Sequence, residues 1–358
     1  MKKNKIIISG RSGDNYQNNK LFSKKYAYFN QGKKKIFRED NNIGLNYLKK
    51  KIIQAGYKLI TTDTLSKKDT CAVEMHFFGS FIKKKARLYY CILPEIREIA
   101  KNCEINILKN KYDKIFTNIE EDIDNKKVFH INQPQSNNYK KNIIRKKKFS
   151  CLIANNKNLN SYSSYSGYSE RIKLINWFQE HHPNELDIYG SNWDKYYFHN
   201  YYLNRILLYL QNKLHLKKKL SDAFKGSIQC KIPVLSNYKF SFCFENYFGS
   251  KGYFTEKIFD SLYAGTIPIY LGCSNVEKYL PSNIFINYKK FNDLNEIYKY
   301  MNSIDKKMYI KFQMNIIDFL SSKNFSKFHY KKFAKVIVSH IKQDINLNSV
   351  HKVHCDFK

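Results

Sequence analysis

Arginine is scarce in this sequence. Only seven occur in 358 residues, so lysine supplies nearly all of the formal charge of +33. Proteins that read nucleic acid lean on arginine for two-point contacts with bases and phosphates, which argues against a specific nucleic-acid partner. The lysine excess comes with abundant Asn, Ile and Tyr along the whole chain and reads as a drift in composition. Its physical residue is a long-range attraction for polyanions, a nucleotide diphosphate or an anionic membrane among them. Paired cysteines are missing as well: the eight, at 71, 91, 103, 151, 230, 243, 273 and 355, form no CxxC. Zinc is disfavoured, and buried reduced thiols in a reducing compartment are the expectation. No window approaches the roughly 20 apolar residues of a membrane span. The run Ile6-Ile7-Ile8 behind its lysines is too short for a signal peptide. The expected location is cytoplasmic, with at most peripheral contact to the cytosolic face of a membrane.

What is present is a folding chain, 43% hydrophobic and 16% aromatic, long enough for two domains. Short apolar runs alternate with helical patterns. Strands are expected at Lys5–Ser9, Tyr57–Thr61, Ala72–Phe78, Arg87–Leu93 and Lys114–Thr117, with Leu45, Leu48, Ile52 and Ile53 on a helix. Residues 135–148 are polar and charged, a linker by composition. The pattern then restarts. Strands are expected at Phe149–Ala154, Leu186–Tyr189, Lys239–Glu245, Ile267–Leu271 and Asn283–Tyr288. Helices are expected at Ser169–His182 (Ile172, Ile175 and Phe178 on its inner face), about 202–224, Thr255–Tyr263 ending at Gly265, 292–304 and 306–321. Strands separated by helices imply parallel, doubly wound sheets. The division expected is 1–145, 146–325 and a tail helix over 326–358. That helix carries Phe333, Val336, Ile337 and Ile341 on one face, to pack on the first domain or to lie on an anionic membrane.

One run carries chemistry. The strand ending Phe242-Cys243-Phe244 delivers Glu245 and Asn246 at its carboxyl end. A loop with Gly249 and Gly252 follows, and Thr255 stands as N-cap before Glu256 and Lys257. A helix N-terminus with a lysine in its first turn suits a phosphate group. The spacing alone equally fits an ordinary strand–helix turn with a surface lysine and does not name the ligand.

The wording does. FCFEN, then GYFTEK, then SLYAGTIPIYLG resembles the donor-site signature of the alpha-1,3-fucosyltransferases, glycosyltransferase family ten. Ser169-Glu170-Arg171, Asp187-Ile188-Tyr189-Gly190 with Trp193, and Lys225-Gly226 resemble family segments in the same order. Tyr112-Asp113 through Thr117 and Asn125 through Asn132 are similar to bacterial members. The resemblance runs over about residues 45–300 and is strongest over 238–288. It implies an α/β chain of GT-B architecture, two Rossmann-like doubly wound domains facing a central cleft. The second domain would hold GDP-fucose and the first would face the acceptor. No metal is obligatory by this resemblance, and Asp122-Ile123-Asp124 reads as a solvated turn rather than a ligand pair.

The implied reaction is inverting transfer of L-fucose from GDP-beta-L-fucose to a glycan hydroxyl, O3 of N-acetylglucosamine or glucose, on an oligosaccharide or glycolipid. Such a displacement needs a base, cations for the departing GDP and surroundings for a positively charged sugar ring. By resemblance, Arg171 and Lys257 grip the diphosphate, and Tyr189, Asn246, Tyr253 and Thr255 line the donor site. Glu245 serves the nucleotide sugar or orients the loop. Glu256 accepts from fucose hydroxyls or stabilises the developing ring charge. The base is Glu95 or Glu98 in Pro94-Glu95-Ile96-Arg97-Glu98. Alignment from Asp113 brings Glu95 onto the family's glutamate, although Ala100-Lys101 replaces the family's downstream Arg-Pro. The loop from Asn246 to Glu256 is longer than in some relatives. Transfer from another nucleotide sugar and polyanion binding by an inactive homologue are the alternatives.

Overall fold

The computed structural model describes residues 7–11, 29–31, 34–36, 43–66, 68–69, 71–77, 86–99, 103–136, 147–156, 164–196, 201–214, 216 and 222–355. They fall into two compact units, residues 1–137 with 323–358, and residues 138–322.

The first unit is built on six parallel strands. β1 (Ile7–Arg11) is followed by a small hairpin of β2 (Phe29–Gln31) and β3 (Lys34–Ile36), then α1 (Ile43–Gln54) and β4 (Lys58–Thr61). β5 (Cys71–Phe77), β6 (Ala86–Leu93), α2 (Ile105–Lys109), β7 (Lys114–Thr117) and β8 (Val128–His130) complete it. The spatial order is β4-β1-β5-β6-β7-β8. Buried His76 is paired at both ring nitrogens: it lies between Glu74 Oε1 (2.7 Å) and the Tyr112 hydroxyl (2.8 Å). Of the apolar positions expected at helical spacing on α1, Leu48 and Ile52 are buried, but Ile53 is exposed. Four-residue spacing fixes the inner stripe, and Ile53 stands a further 100° round the helix.

The second unit has five parallel strands in the order β10-β9-β11-β12-β13. These are β9 (Lys148–Ile153), β10 (Leu186–Tyr189), β11 (Tyr238–Phe244), β12 (Ile267–Leu271) and β13 (Ile286–Asn287). Between them run α3 (Gly167–His181), α4 (Tyr201–Lys213), α5 (Lys231–Leu235) and α6 (Glu256–Tyr263), with α7 (Leu294–Ser303) and α8 (Lys306–Ser321) after the last strand. β11 lies at the centre and is covered on both faces: Phe240, Phe242 and Phe244 are buried on one, Ser241 and Cys243 on the other. The inner stripe of α3 is Arg171, Leu174, Ile175 and Phe178; Ile172, expected there, is exposed. The chain goes from β9 outward to β10 and then back to β11 on the other side. The order therefore reverses between β9 and β11, and ligands of such sheets enter at the carboxyl ends of strands at that reversal.

Two expectations change. The strand expected over 283–288 shortens to Ile286–Asn287 between single 3-10 turns. The linker expected over 135–148 is structured at its two ends. Gln135 donates its amide to the Phe328 carbonyl (2.8 Å) and accepts from the Tyr330 amide (2.9 Å), while Lys148 already belongs to β9; residues 137–146 lie outside the described set. The tail forms α9 (Tyr330–Cys355) in the first unit. Phe333, Ala334, Ile337 and Ile341 join Leu48 and Ile52 of α1 in one buried cluster. Asp344 pins the helix by accepting from the Tyr90 hydroxyl and from Lys114 Nζ (2.7 Å). The apolar face of this helix is thus packed on α1. No described helix is long and apolar enough to cross a membrane.

Candidate active site

The candidate site grows from the end of β11. Glu245, the next residue, is fully buried and hydrogen-bonded on both oxygens. Oε1 accepts from the Thr255 amide (2.7 Å), and Oε2 from the Thr255 hydroxyl (2.7 Å) and Lys257 Nζ (2.8 Å). A buried carboxylate stays charged only when so provided. Lys257 also touches the Thr255 hydroxyl at 2.8 Å. Burial alone would depress its ammonium, but Glu245 and Glu256 outweigh this and raise it above the ordinary lysine range. Thr255 occupies the N-cap position of α6 with extended backbone, yet its side chain makes no capping bond. The reason is local: the hydroxyl donates to Glu245 instead. The loop before it is tied down by Gly252, whose amide donates to Asn275 Oδ1 (3.0 Å) at φ +76°.

Arg171 approaches from α3. Only 2% of it is exposed. Its Nη2 donates to the Phe244 carbonyl and to Asn246 Oδ1 (3.2 Å), and its guanidinium stacks 4.7 Å from the Tyr168 ring. Nε is buried without a hydrogen-bond partner. Burial lowers this guanidinium's affinity for its proton. The close seating depends on Gly167: its amide donates to the Asn246 carbonyl (3.0 Å), and a Cβ there would stand 1.8 Å from the Glu245 carbonyl oxygen.

Glu256 opens α6, with Oε1 2.9 Å from Lys231 Nζ. The same ammonium lies 3.1 Å from Asp260 Oδ2, one turn further along. Burial would lower the Lys231 ammonium, but the two carboxylates raise it instead. A cavity beside this cluster is lined by Lys231, Lys257, Asp260, Ser241, Cys243 and the end of β9 at Ile153 and Ala154. It stands at the sheet's reversal point.

Of the residues expected at the donor site, Glu245, Asn246, Thr255, Lys257 and Arg171 form one connected cluster, and Glu256 joins it through the start of α6. Tyr253 is fully buried in the same loop. Tyr189 goes elsewhere: its hydroxyl meets that of Tyr238 (2.7 Å), which donates to Asp187 (2.6 Å), and Asp187 also pairs with Lys148 (2.6 Å). In the first unit Glu95 follows β6 and is half-buried. It accepts from the Ile96 amide (3.3 Å), and its charge adds to burial in pushing the Cys103 thiol up to about 12. Glu98 accepts from Arg97 (3.1 Å). In the Asp122-Ile123-Asp124 segment, Asp124 Oδ1 accepts from the amides of Lys126, Lys127 and Val128, at 2.9, 2.8 and 2.8 Å, so this carboxylate builds the turn. Sequence reading missed Lys231 and Asp260. Asp260 had a signal, four residues after Glu256 on one helix; Lys231, 25 residues before Glu256, had none.

Known proteins resemble the chain around this cluster. The sequence profile of the glycosyltransferase family 10 (fucosyltransferase) C-terminal region matches residues 143–319. The 4-galactosyl-N-acetylglucosaminide 3-alpha-L-fucosyltransferase 9 of Mus musculus is 35% identical over 123 residues, 33% of this chain and 33% of that protein. The alpha-(1,3)-fucosyltransferase FucT of Helicobacter pylori is 41% identical over 75 residues, 21% of this chain and 16% of the relative. The chain thus spans about a third or less of the curated relatives it matches. A crystal structure of an alpha1,3-fucosyltransferase with GDP aligns over 96% of this chain and 92% of that one, with TM-score 0.56 and 16% identity. At that identity the likeness is one of fold, the GT-B class of α/β proteins.

Proposed function

Through residues 143–319 the chain belongs to glycosyltransferase family 10, and from that premise we propose that it transfers L-fucose from GDP-fucose to a glycan hydroxyl. The O3 of N-acetylglucosamine or glucose is the expected position, with inversion at the anomeric carbon. The observation that carries this reading is the saturated carboxylate at the end of the central strand. Glu245 takes all its bonds from its own chain, so it braces Lys257 rather than binding ligand, and Lys257 lines the cavity at the sheet's reversal point. A braced cation in a largely buried site suits the charge that grows on a departing diphosphate.

In the reaction, the acceptor oxygen bonds to the anomeric carbon as the bond from that carbon to the phosphate oxygen breaks. GDP leaves with the electron pair. Glu95 takes the acceptor proton. Lys257 meets the oxygen charge, and Glu256 faces the ring, where positive charge gathers in the transition state. Arg171 acts chiefly by fixing Asn246 and the strand end, to both of which its Nη2 donates. The reading also accommodates contact of the basic surface with an anionic glycolipid layer.

The test is GDP release and product analysis with GDP-fucose, GDP-mannose and UDP-sugars, each offered with galactose-containing acceptors. Saturable transfer confined to GDP-fucose, with product of inverted configuration by early-time NMR, supports the reading. Turnover with another donor instead, or no measurable affinity for GDP, overturns it.

A further inference from the structure

We infer that Lys231 is a positioning residue: by bridging Glu256 and Asp260 it keeps the Glu256 carboxylate ionised and fixed at the start of α6. The inference deepens the fucosyl-transfer reading and rests on it only for the task given to Glu256. Glu256 and Asp260 stand four residues apart on α6 and so share a face. Asp260 is 1% exposed. Two carboxylates one turn apart in such surroundings repel, and the weaker acid holds its proton well above the ordinary range. Lys231 Nζ, at 2.9 Å from one and 3.1 Å from the other, removes that conflict.

Among the described ion pairs, Lys231 is the cation that joins both carboxylates. Lys257, next along α6, feels the charge of Glu256, but its ammonium contacts Glu245 at 2.8 Å. Arg171 is held on Phe244 and Asn246. Cys243 of β11, whose thiol burial pushes up to about 11, brings no positive charge. The platform under Lys231 is firm. α5 packs on α6 through Leu235 and Ala264, and the Thr266 hydroxyl donates to the Leu235 carbonyl at 2.7 Å. Lys231 is therefore held where both carboxylates reach it.

The sign of the effect follows. Removing Lys231 takes the shared cation from both carboxylates, so the coupled Glu256–Asp260 pair takes up its first proton at higher pH. If ionised Glu256 is the working form, Lys231→Met moves the acid limb of kcat/KM up by about one to two pH units. Activity at pH 5.5 falls by roughly tenfold while activity at pH 8 stays within about threefold. Lys231→Arg keeps the limb in place. Asp260→Asn added to Lys231→Met brings it back down, because the repelling charge is gone. A merely structural role for Lys231 would lower activity at all pH values alike and would not be relieved by Asp260→Asn.

Carbon-13 titration of the Glu256 carboxyl, assigned through Glu256→Gln, reads the same shift without turnover. An unmoved titration and an unmoved limb in Lys231→Met overturn the inference. Should Lys231→Met fail to fold, Asp260→Asn alone decides, since it must move the Glu256 titration down; a titration that stays or rises overturns the inference equally. If the wild type turns over no GDP-fucose, the fucosyl-transfer reading fails by itself, and the carboxyl titration still judges Lys231.

Discussion

Each unit holds a lysine against a carboxylate, and the two pairs serve opposite ends. In the first unit Asp344 of α9 accepts from Tyr90 and from Lys114, whose ammonium also lies 3.2 Å from His340 Nδ1. All of these groups end on one another across the seam between helix and sheet. In the second unit Glu245 is saturated by Thr255 and Lys257, and Lys257 with Lys231 and Asp260 borders a cavity where the strand order reverses. An ion pair in itself therefore marks nothing. The useful sign is a carboxylate whose bonds are all supplied by the chain, bracing a cation that still has a hollow beside it.

Lys257→Ala puts the most strain on this contrast. Loss of a braced cation from a transition-state contact is expected to cut turnover per folded molecule by about 10²–10³-fold, and to lower the melting temperature because buried Glu245 loses its cation. Transfer assays beside thermal denaturation check it; activity within threefold of wild type would make this cluster a second seam and erase the contrast. Gly167→Ala attacks the seating of α3. A methyl 1.8 Å from the Glu245 carbonyl must displace backbone, at a cost of about 1–3 kcal/mol in stability, and it shifts Asn246 with it. Denaturant unfolding and GDP affinity should both weaken; an unchanged GDP affinity would show that the strand end does not shape the site. Asp344→Ala should part from Lys257→Ala in activity and not in stability. It leaves the Lys114 ammonium less than fully compensated and costs about 1–3 kcal/mol, while activity per folded molecule, read at 20 °C, stays unchanged.

Much of this was legible in the sequence because the interior wrote it plainly. The run from Phe240 to Phe244 carries no charged side chain, so a central buried strand is the natural reading, and it is the one observed. Gly265 ends α6 with φ +61°, as its place after the apolar stripe implied. The misses have a common cause. Ile172 looked inward and Ile53 looked part of the helical spacing because they are apolar, but helical geometry had already filled the inner stripe with Arg171 and Leu174, and with Leu48 and Ile52. An arginine is hard to expect in a buried stripe unless its partners, here the Phe244 carbonyl and Asn246, are known to lie above it. Thr255 was placed correctly as a cap position, yet its hydroxyl answers a carboxylate ten residues earlier. Lys231 left no trace, since what joins it to Glu256 is the packing of two short helices and not any spacing along the chain.

The smallest expected effect tests whether the seam in the first unit responds to pH. Burial, and then Lys114, lower the His340 imidazole below the ordinary histidine range, and its ring packs 4.3 Å from Phe129. The unfolded chain therefore binds more protons than the folded one near pH 6. By linkage, the contribution of this histidine to stability is whole above about pH 6.5 and is lost as pH falls through that value toward the folded one. His340→Gln removes the titrating group, so the drop in melting temperature between pH 7 and pH 5.5 should be shallower than in wild type by about 1–2 °C. Parallel slopes would mean that the α9 seam is held by packing and by Asp344 alone, with Lys114 too well satisfied to feel a second positive charge. A steeper slope in the variant would mean that the imidazole already carries its proton when folded and pairs with Asp344, which would make the first unit's cluster, too, a place where charge and not packing decides.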